Sequence, residues 1–254
     1  MHVTAYPEPE VETALVREAY RHAALPIALH YFGAEVLHAS AVYATRGVVA
    51  FCAVSETGKS TMAAALSARG YSLWADDAVA IDADEQPPVR TISLPFDLRL
   101  RSASATYLGA AASGFPASVA PASEFAASPL AALCILERIE PTRDEVKIER
   151  IPPAHAFAAL LPHAFSFSLR DPERKRLMFQ RYMRMAVQTA IFRVSFAPGF
   201  ERLPFVLDAI EQSIDAFAGD PRQHSSPSAA AAGGLRARSD QKNRRSPCVR
   251  SRSA

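Results

Sequence analysis

The 254-residue sequence has few cysteines and no hydrophobic run long enough to cross a bilayer. Its three cysteines, Cys52, Cys134 and Cys248, lie far apart and share no metal-binding or redox spacing. Cys52 and Cys134 stand in apolar runs, which indicates small buried residues in a reducing compartment. Since no basic and apolar leader opens the chain, we expect a cytoplasmic protein without a membrane partner. Hydrophobic residues make up 49% of the chain, enough for a domain with a sizeable core.

Charge is distributed unevenly along the chain. Residues 220–254 carry eight Lys or Arg and two Asp, a net charge of +6, which leaves −4 on residues 1–219 because the whole chain carries +2. The C-terminal part is rich in Ser, Ala, Gly, Pro and Arg, so it lacks the apolar residues to build a core. We therefore predict a folded domain over 1–219 and a disordered basic tail over 220–254. No aromatic residues are interleaved with the tail's charges, which favours a solvated extension over a nucleic-acid contact.

The most informative pattern is a strand, a loop and a helix in succession. The apolar run Val48–Phe51 predicts the strand, and Thr61–Arg69 predicts a helix that Gly70 ends. Residues 53–61 follow the strand and extend into the start of the helix. They read Ala-Val-Ser-Glu-Thr-Gly-Lys-Ser-Thr, which is close to the Gly-x-x-x-x-Gly-Lys-Ser/Thr pattern of phosphate-binding loops. The alternative is an ordinary helix start, but the order and length of the flanking elements favour a phosphate-binding loop.

In such a loop, backbone N–H groups and the helix N-terminus bind the phosphates of a nucleotide. Lys59 would neutralise the outer phosphates, and the Ser60 hydroxyl would contact magnesium. The predicted nucleotide-binding residues are Ala53, Ser55, Glu56, Thr57, Gly58, Lys59, Ser60 and Thr61. Two of them depart from the pattern. Ala53 replaces glycine, which would cost about 1–2 kcal/mol only if its φ were positive, and the carboxylate of Glu56 would repel phosphate unless it points outward.

Two aspartates, Asp76 and Asp77, follow the predicted strand 71–75 and precede a further apolar run at 78–81. An Asp-Asp pair is common in a turn after a strand. Burial between two apolar runs would be costly without a cationic partner, which favours a functional pair over a turn. Neighbouring strand residues point to opposite faces, so the two carboxylates need a bend in the backbone to act at one place.

Three segments in order, Leu37–Val42, the loop and Leu73–Asp77, resemble the catalytic domain of HPr kinase/phosphorylase. Its shorter relatives include kinases found with lasso-peptide biosynthesis. The resemblance is strongest over 30–82 and continues weakly to about residue 215. It implies an α/β, P-loop kinase-like domain of the HPr kinase/phosphoenolpyruvate carboxykinase type with a mixed sheet. It also implies ATP and Mg²⁺ as cofactors and a serine on a small protein or peptide as the phosphate acceptor.

The resemblance implies individual roles as well. Asp76 falls on the base that deprotonates the acceptor hydroxyl, and His38 falls on the family histidine of the preceding strand. Lys59 is expected on the β- and γ-phosphates, and Ser60 and Asp77 are the expected metal residues. A single histidine beside apolar residues is usually structural, so the role of His38 depends on the resemblance. The sequence has no counterpart to the family's glycine-rich segment with a Glu-Arg pairing, nor to its N-terminal domain, so HPr itself is not implied as the substrate.

The leading hypothesis is an ATP-dependent serine kinase. A nucleotide-binding regulator or maturation partner with a degenerate loop is the alternative, which Ala53 and Glu56 favour. A third is a small-molecule kinase or carboxykinase-like enzyme, since a fold does not determine its substrate. The sequence leaves the acceptor and the oligomeric state open, a homo-oligomer included.

The remaining chain alternates between helices and strands. The predicted helices are 9–24, 153–161, 172–188 and 200–217, and the predicted strands are two within 27–43, then 89–94, 130–137, 146–151 and 191–196. We interpret 102–128 as a loop or loose helix from which an acceptor-binding lid could form. His30 is expected to be structural, and His155 and His163 share no metal-binding spacing with a cysteine.

Overall fold

The structure is a computed structural model that describes residues 4, 6–83, 87–109, 127–140, 146–165 and 170–218. The predicted tail 220–254, with Cys248, lies outside these residues, and so does the larger part of the predicted lid, 110–126. Among the described residues, no helix is long and apolar enough to span a membrane.

The described residues form seven α-helices, nine strands and three short helical turns. The helices are α1 Thr13–Ala19, α2 Leu25–Tyr31, α3 Lys59–Ala68, α4 Ser102–Tyr107, α5 Pro153–Leu160, α6 Pro172–Gln188 and α7 Leu203–Ala218. The strands are β1 Glu35–Leu37, β2 Ala39–Ala44, β3 Gly47–Cys52, β4 Ser72–Ala75, β5 Val79–Asp82, β6 Arg90–Ile92, β7 Ala127–Arg138, β8 Lys147–Arg150 and β9 Ala190–Phe196. A π-helical turn, Tyr20–Ala24, joins α1 to α2, and 3₁₀ turns occupy Leu161–His163 and Phe200–Arg202.

The nine described strands form one mixed sheet. Its main part has the order β4, β2, β3, β7, β9 and β8, in which β3, β7 and β9 are parallel and each remaining pair is antiparallel. The first residues of β7 pair with β6, and β5 and β1 extend the sheet from there. This architecture confirms the predicted α/β fold with a mixed sheet.

Helices cover both faces of the main sheet, and β3 shows why. Its residues alternate between two hydrophobic cores, with Val48, Ala50 and Cys52 in the core that includes α5 and α6 residues. Val49 and Phe51 lie in the core that includes α3 and α7 residues. A central strand covered on both faces reads as a continuous hydrophobic run, as β3 does.

Both described cysteines, Cys52 and Cys134, are buried and free. Burial raises the pKa of each thiol to about 12, so neither is a nucleophile at neutral pH. They are small core residues, as their apolar surroundings in the sequence indicated.

The N-terminal region differs from the prediction. Residues 27–31 were expected to begin a strand, but they belong to α2, and only residues 35–37 and 39–44 form strands. Pro26 lies in the first turn of α2, directly after the π-helical turn. Leu25 packs in a small core with Ala80 and Leu94, and Leu29 packs against that core. The predicted helix over 9–24 begins at Thr13 and ends in the π-helical turn.

Candidate active site

The loop between β3 and α3 ends in a left-handed glycine directly before the helix, a feature compatible with phosphate binding. Gly58 precedes α3 with a φ of 118°, a left-handed conformation that glycine adopts without strain. The N-cap residue Gly58 has no side chain that could cap α3, which leaves the first N–H groups of the helix suited to an anion at its positive end. Ala53 is buried and is not among the described residues with positive φ, so alanine costs nothing at this position.

Glu56 is the unusual residue of this loop. Its φ is 71°, which for a residue with a side chain costs about 1–2 kcal/mol. Its carboxylate forms an ion pair with Arg101, and both side chains are mostly exposed. The pairing directs the negative charge toward Arg101 and solvent, which is the outward direction that a phosphate in the loop would require.

Lys59 is buried at the start of α3, and its Nζ donates a 3.3 Å hydrogen bond to the carbonyl of Ala53. Burial lowers the pKa of Lys59, and the charges of Asp77 and Asp76 partly oppose that shift. Among the described residues, no carboxylate forms an ion pair with Lys59. The ammonium group thus experiences the charges of both acids without an ion pair to either, and it has further N–H donors for a bound anion.

Asp76 is buried and connects three parts of the chain. Its Oδ1 accepts hydrogen bonds from the hydroxyls of Ser60 and Ser40, each at 2.7 Å. Its Oδ2 accepts the backbone N–H of Arg99 at 2.9 Å. The carboxylate that follows β4 is thus bound directly to the first turn of α3.

Asp77 supplies the bend that the acidic pair needed. Its φ is 68°, in the left-handed region that aspartate enters more readily than most residues. Its Oδ1 lies 3.0 Å from Nε2 of His38, and its Oδ2 lies 3.2 Å from Nδ1 of His22. The hydrogen bond from His38 is the largest cause of a pKa of about 2 for Asp77, with His22 contributing and partial burial opposing. With 40% of its side chain exposed, Asp77 is an ionised carboxylate that a second molecule can reach.

Two histidines that the sequence analysis did not assign to the site, His22 and His163, lie beside it. His163 is buried, and its carbonyl accepts the backbone N–H of His38 at 2.8 Å. Burial lowers the pKa of His163, and the charges of Lys59 and His38 lower it further. Neither histidine belongs to a local motif, because each reaches the site through contacts between residues far apart in sequence.

The structure brings Lys59, Ser60, Asp76, Asp77 and His38 together, as the predicted site requires. The other predicted loop residues have their own surroundings. The carbonyl of Thr57 accepts a 3.2 Å hydrogen bond from Nε of Arg138, Thr61 shares a 2.8 Å hydroxyl contact with Ser104, and Ser55 is exposed.

The oxygen donors at this place suit magnesium that arrives with a nucleotide. Within the described ranges, no group of three or more His, Cys, Asp or Glu side chains could hold a metal ion. Mg²⁺ keeps several waters and is usually bound by one or two protein oxygens together with substrate phosphates. The Ser60 hydroxyl and the Asp76 carboxylate, 2.7 Å apart, are such oxygens.

A scan against protein-family models finds none that matches, and a search of curated proteins finds no sequence match. Among solved structures, the chain is similar to the Hpr(Ser) kinase/phosphatase from Coxiella burnetii. The TM-score is 0.36 and the sequence identity is 12%, over 72% of this chain and 93% of that one. A similarity of this size establishes neither a family nor an activity, so we base the function on the contacts of the site.

Proposed function

We propose that this protein is an ATP-dependent, magnesium-dependent phosphotransferase that transfers the γ-phosphate to a serine hydroxyl of a small protein or peptide. The observation that carries the proposal is the 2.7 Å hydrogen bond between Ser60 and Asp76, beside the buried Lys59 at the uncapped start of α3. A hydroxyl, a carboxylate and an ammonium group around a helix N-terminus are the parts that hold a nucleotide triphosphate with its metal.

Each of these groups has a distinct task in the proposal. The first N–H groups of α3 and the ammonium of Lys59 bind the phosphates and neutralise their charge. Ser60 and Asp76 provide oxygen ligands for Mg²⁺, directly or through water. When bound, Mg²⁺ supplies charge stabilisation for the phosphoryl group in transfer. Catalysis then comes mainly from alignment and electrostatics, because phosphoryl transfer needs little covalent chemistry from the protein.

The contacts of the two aspartates support an exchange of the roles that the sequence analysis assigned. Asp76, expected to be the base, is buried and bonded to Ser60, so we place it on the metal side. Asp77, expected to bind metal, is more exposed and faces His38 and His22, so we assign it to the acceptor. As the serine oxygen forms its bond to the γ-phosphorus, its proton passes to the Asp77 carboxylate and the β–γ bridging bond breaks to release ADP. The low pKa keeps Asp77 ionised at neutral pH, and a weak base is sufficient because the loose transition state leaves the proton on the hydroxyl until late.

The serine acceptor is supported by the sequence resemblance over 30–82 and by the exposure of Asp77. The described part of the site is open to a hydroxyl at Asp77, since an ionised carboxylate has about four lone-pair positions and the two histidines occupy two of them. A serine, a threonine and a sugar hydroxyl are chemically alike at this atom, so the acceptor has to be identified by transfer assays.

A nucleotide-binding regulator without transfer activity is the second candidate, and Glu56 is the observation that favours it. This residue places a negative charge and a left-handed backbone conformation in the loop. Its ion pair with Arg101 would have to persist, or be replaced, when nucleotide phosphates enter. Binding without turnover would be the consequence.

Nucleotide binding is tested first, by isothermal titration with MgATP. We expect binding by the wild type, loss of binding in Lys59→Ala, and unchanged binding in Lys175→Ala, which removes an exposed lysine of α6. Absence of binding by the wild type would refute both nucleotide-dependent candidates.

Transfer is tested with γ-labelled ATP and a degenerate peptide mixture centred on serine. Label on the peptides that disappears in Asp77→Asn supports the proposed kinase and the proposed base. Binding without any transfer supports the regulator, and label found only on small metabolites of a cell extract supports a small-molecule kinase. Transfer that survives Asp77→Asn but not Asp76→Asn would return the base to Asp76.

A further inference from the structure

The N-terminal helical segment, α1 followed by the π-helical turn, lies against the two aspartates of the site. Glu18, Arg21 and His22 are spaced by three and four residues, so they share one side of the helix. His22 belongs to the π-helical turn, a helix type that is rare and is frequently found at functional sites. Its side chain is only 16% exposed and its Nδ1 lies 3.2 Å from Oδ2 of Asp77.

The two histidines bind Asp77 from different elements and at different atoms. An ionised carboxylate only accepts hydrogen bonds, so His22 donates from Nδ1 and His38 donates from Nε2. One donor would leave the carboxylate able to turn about its χ2 bond. Two donors, one at each oxygen, determine the plane of the carboxylate and the direction of its remaining lone pairs.

The same segment reaches Asp76 by a second, independent path. Arg21 forms an ion pair with Asp97, and Oε1 of Glu18 lies 2.9 Å from Nη1 of Arg99. The backbone N–H of Arg99 in turn donates to Oδ2 of Asp76 at 2.9 Å. The N-terminal segment therefore contacts one aspartate directly and supports the backbone that orients the other.

We propose that His22 is a positioning residue that, together with His38, orients the Asp77 carboxylate toward the acceptor hydroxyl, and that the π-helical turn supplies it. This inference rests on the proposed function, in which Asp77 takes the acceptor's proton. His22 contacts neither nucleotide nor acceptor in this scheme. Its loss should reduce the rate of transfer without weakening nucleotide binding.

The kinetic test uses MgATP and the serine-centred peptide mixture with the full chain. In His22→Ala we expect kcat to fall by about 10–100-fold while KM for MgATP changes by less than about twofold. His22→Asn should recover most of the rate, because the asparagine amide can donate from near the position of Nδ1. His22→Gln, whose amide lies nearer the position of Nε2, should recover less. His155→Ala, a change at an exposed residue of α5, is the matched control and should leave both constants unchanged.

A second measurement decides the contact itself without requiring turnover. Nitrogen-15 spectra of the imidazole rings should show His22 protonated at Nδ1, and Asp77→Asn should shift the signals of His22 and His38 but not that of His155. An unshifted His22 signal, or full kcat in His22→Ala, would overturn the inference while leaving the proposed function intact. Absence of nucleotide binding or transfer in the wild type would overturn the proposed function, and the positioning role of His22 in transfer with it.

Discussion

The hydroxyl of Ser60, at the start of α3, donates a 2.7 Å hydrogen bond to Oδ1 of Asp76, which directly follows β4. This contact brings together the two protein oxygens that we propose as magnesium ligands. It also connects the first turn of α3 to the end of β4, which the acidic pair follows. The first prediction tests whether the two oxygens act as one unit.

Ser60→Ala and Asp76→Asn should each weaken the binding of ADP in the presence of Mg²⁺ by about tenfold, the scale found when metal-site partners are removed. The double variant should lose little more than either single variant, because the first change already disrupts the shared site. Titration calorimetry with and without Mg²⁺ measures this. Equal losses without Mg²⁺, or fully additive losses with it, would contradict a shared metal role.

Glu56→Gln should strengthen ATP binding by about threefold, because it removes one negative charge from the solvent-exposed loop in which we propose that the phosphates bind. Arg101→Gln, which removes the partner of Glu56, should weaken ATP binding by a similar factor. Both effects should shrink as salt is added, since exposed charges are screened. Weaker binding by Glu56→Gln would show that the carboxylate supports the loop rather than opposing phosphate.

The buried carboxylate of Glu35 should be important for stability. It lies 2.7 Å from Nη1 of Arg174 in α6 and is 1% exposed. Burial raises the pKa of Glu35, and the hydrogen bond from Arg174 opposes that shift. Glu35→Ala leaves the Arg174 guanidinium without its carboxylate, so we expect the free energy of unfolding to fall by about 3–5 kcal/mol in urea denaturation.

The exposed ion pair between Glu149 and Lys147, at 2.8 Å, provides the comparison for Glu35. Glu149→Ala should change the free energy of unfolding by no more than about 0.5 kcal/mol, because water solvates both charges. A loss as small for Glu35→Ala would mean that the buried pair is no more stabilising than a surface pair.

His163 should make the protein less stable in mild acid. Burial lowers its pKa below the ordinary value of 6.5, so the unfolded chain takes up a proton at a higher pH than the folded protein does. The stability that neutral His163 contributes is therefore fully present above the unfolded-state pKa of about 6.5. It is lost as the pH falls from there through the lower folded-state pKa.

Urea denaturation at several pH values from about 7.5 to about 5 measures this effect. The free energy of unfolding should fall less steeply with decreasing pH in His163→Gln than in the wild type. Part of the pH dependence that remains in His163→Gln should come from His30, because burial also lowers the pKa of His30. Identical slopes in the two proteins would contradict a neutral, buried His163.

Local patterns predicted much of the fold. The helix over 172–188 has the predicted bounds, because Asp171 caps it through the N–H of Glu173 and Pro172 begins it. The strand before the loop 53–61 and the helix after it are also confirmed. The strand is a continuous apolar run that is buried on both faces, and the helix consists mostly of strong helix formers. The strand expected from Ile27 is wrong, because this segment forms α2, in which Leu25 and Leu29 pack with the distant residues Ala80 and Leu94.

The sequence by itself determined a strand, a glycine-containing turn with Lys59 and Ser60, and a helix, because these features depend on neighbouring residues. It also determined that two aspartates follow the next strand. Only the tertiary structure decided which partner each aspartate has. The left-handed backbone of Asp77 turns its carboxylate to His38 and His22, while Asp76 remains bound to Ser60. These contacts join residues that are 16 to 55 positions apart in the sequence. Such residues come into contact only when the helices pack against the sheet.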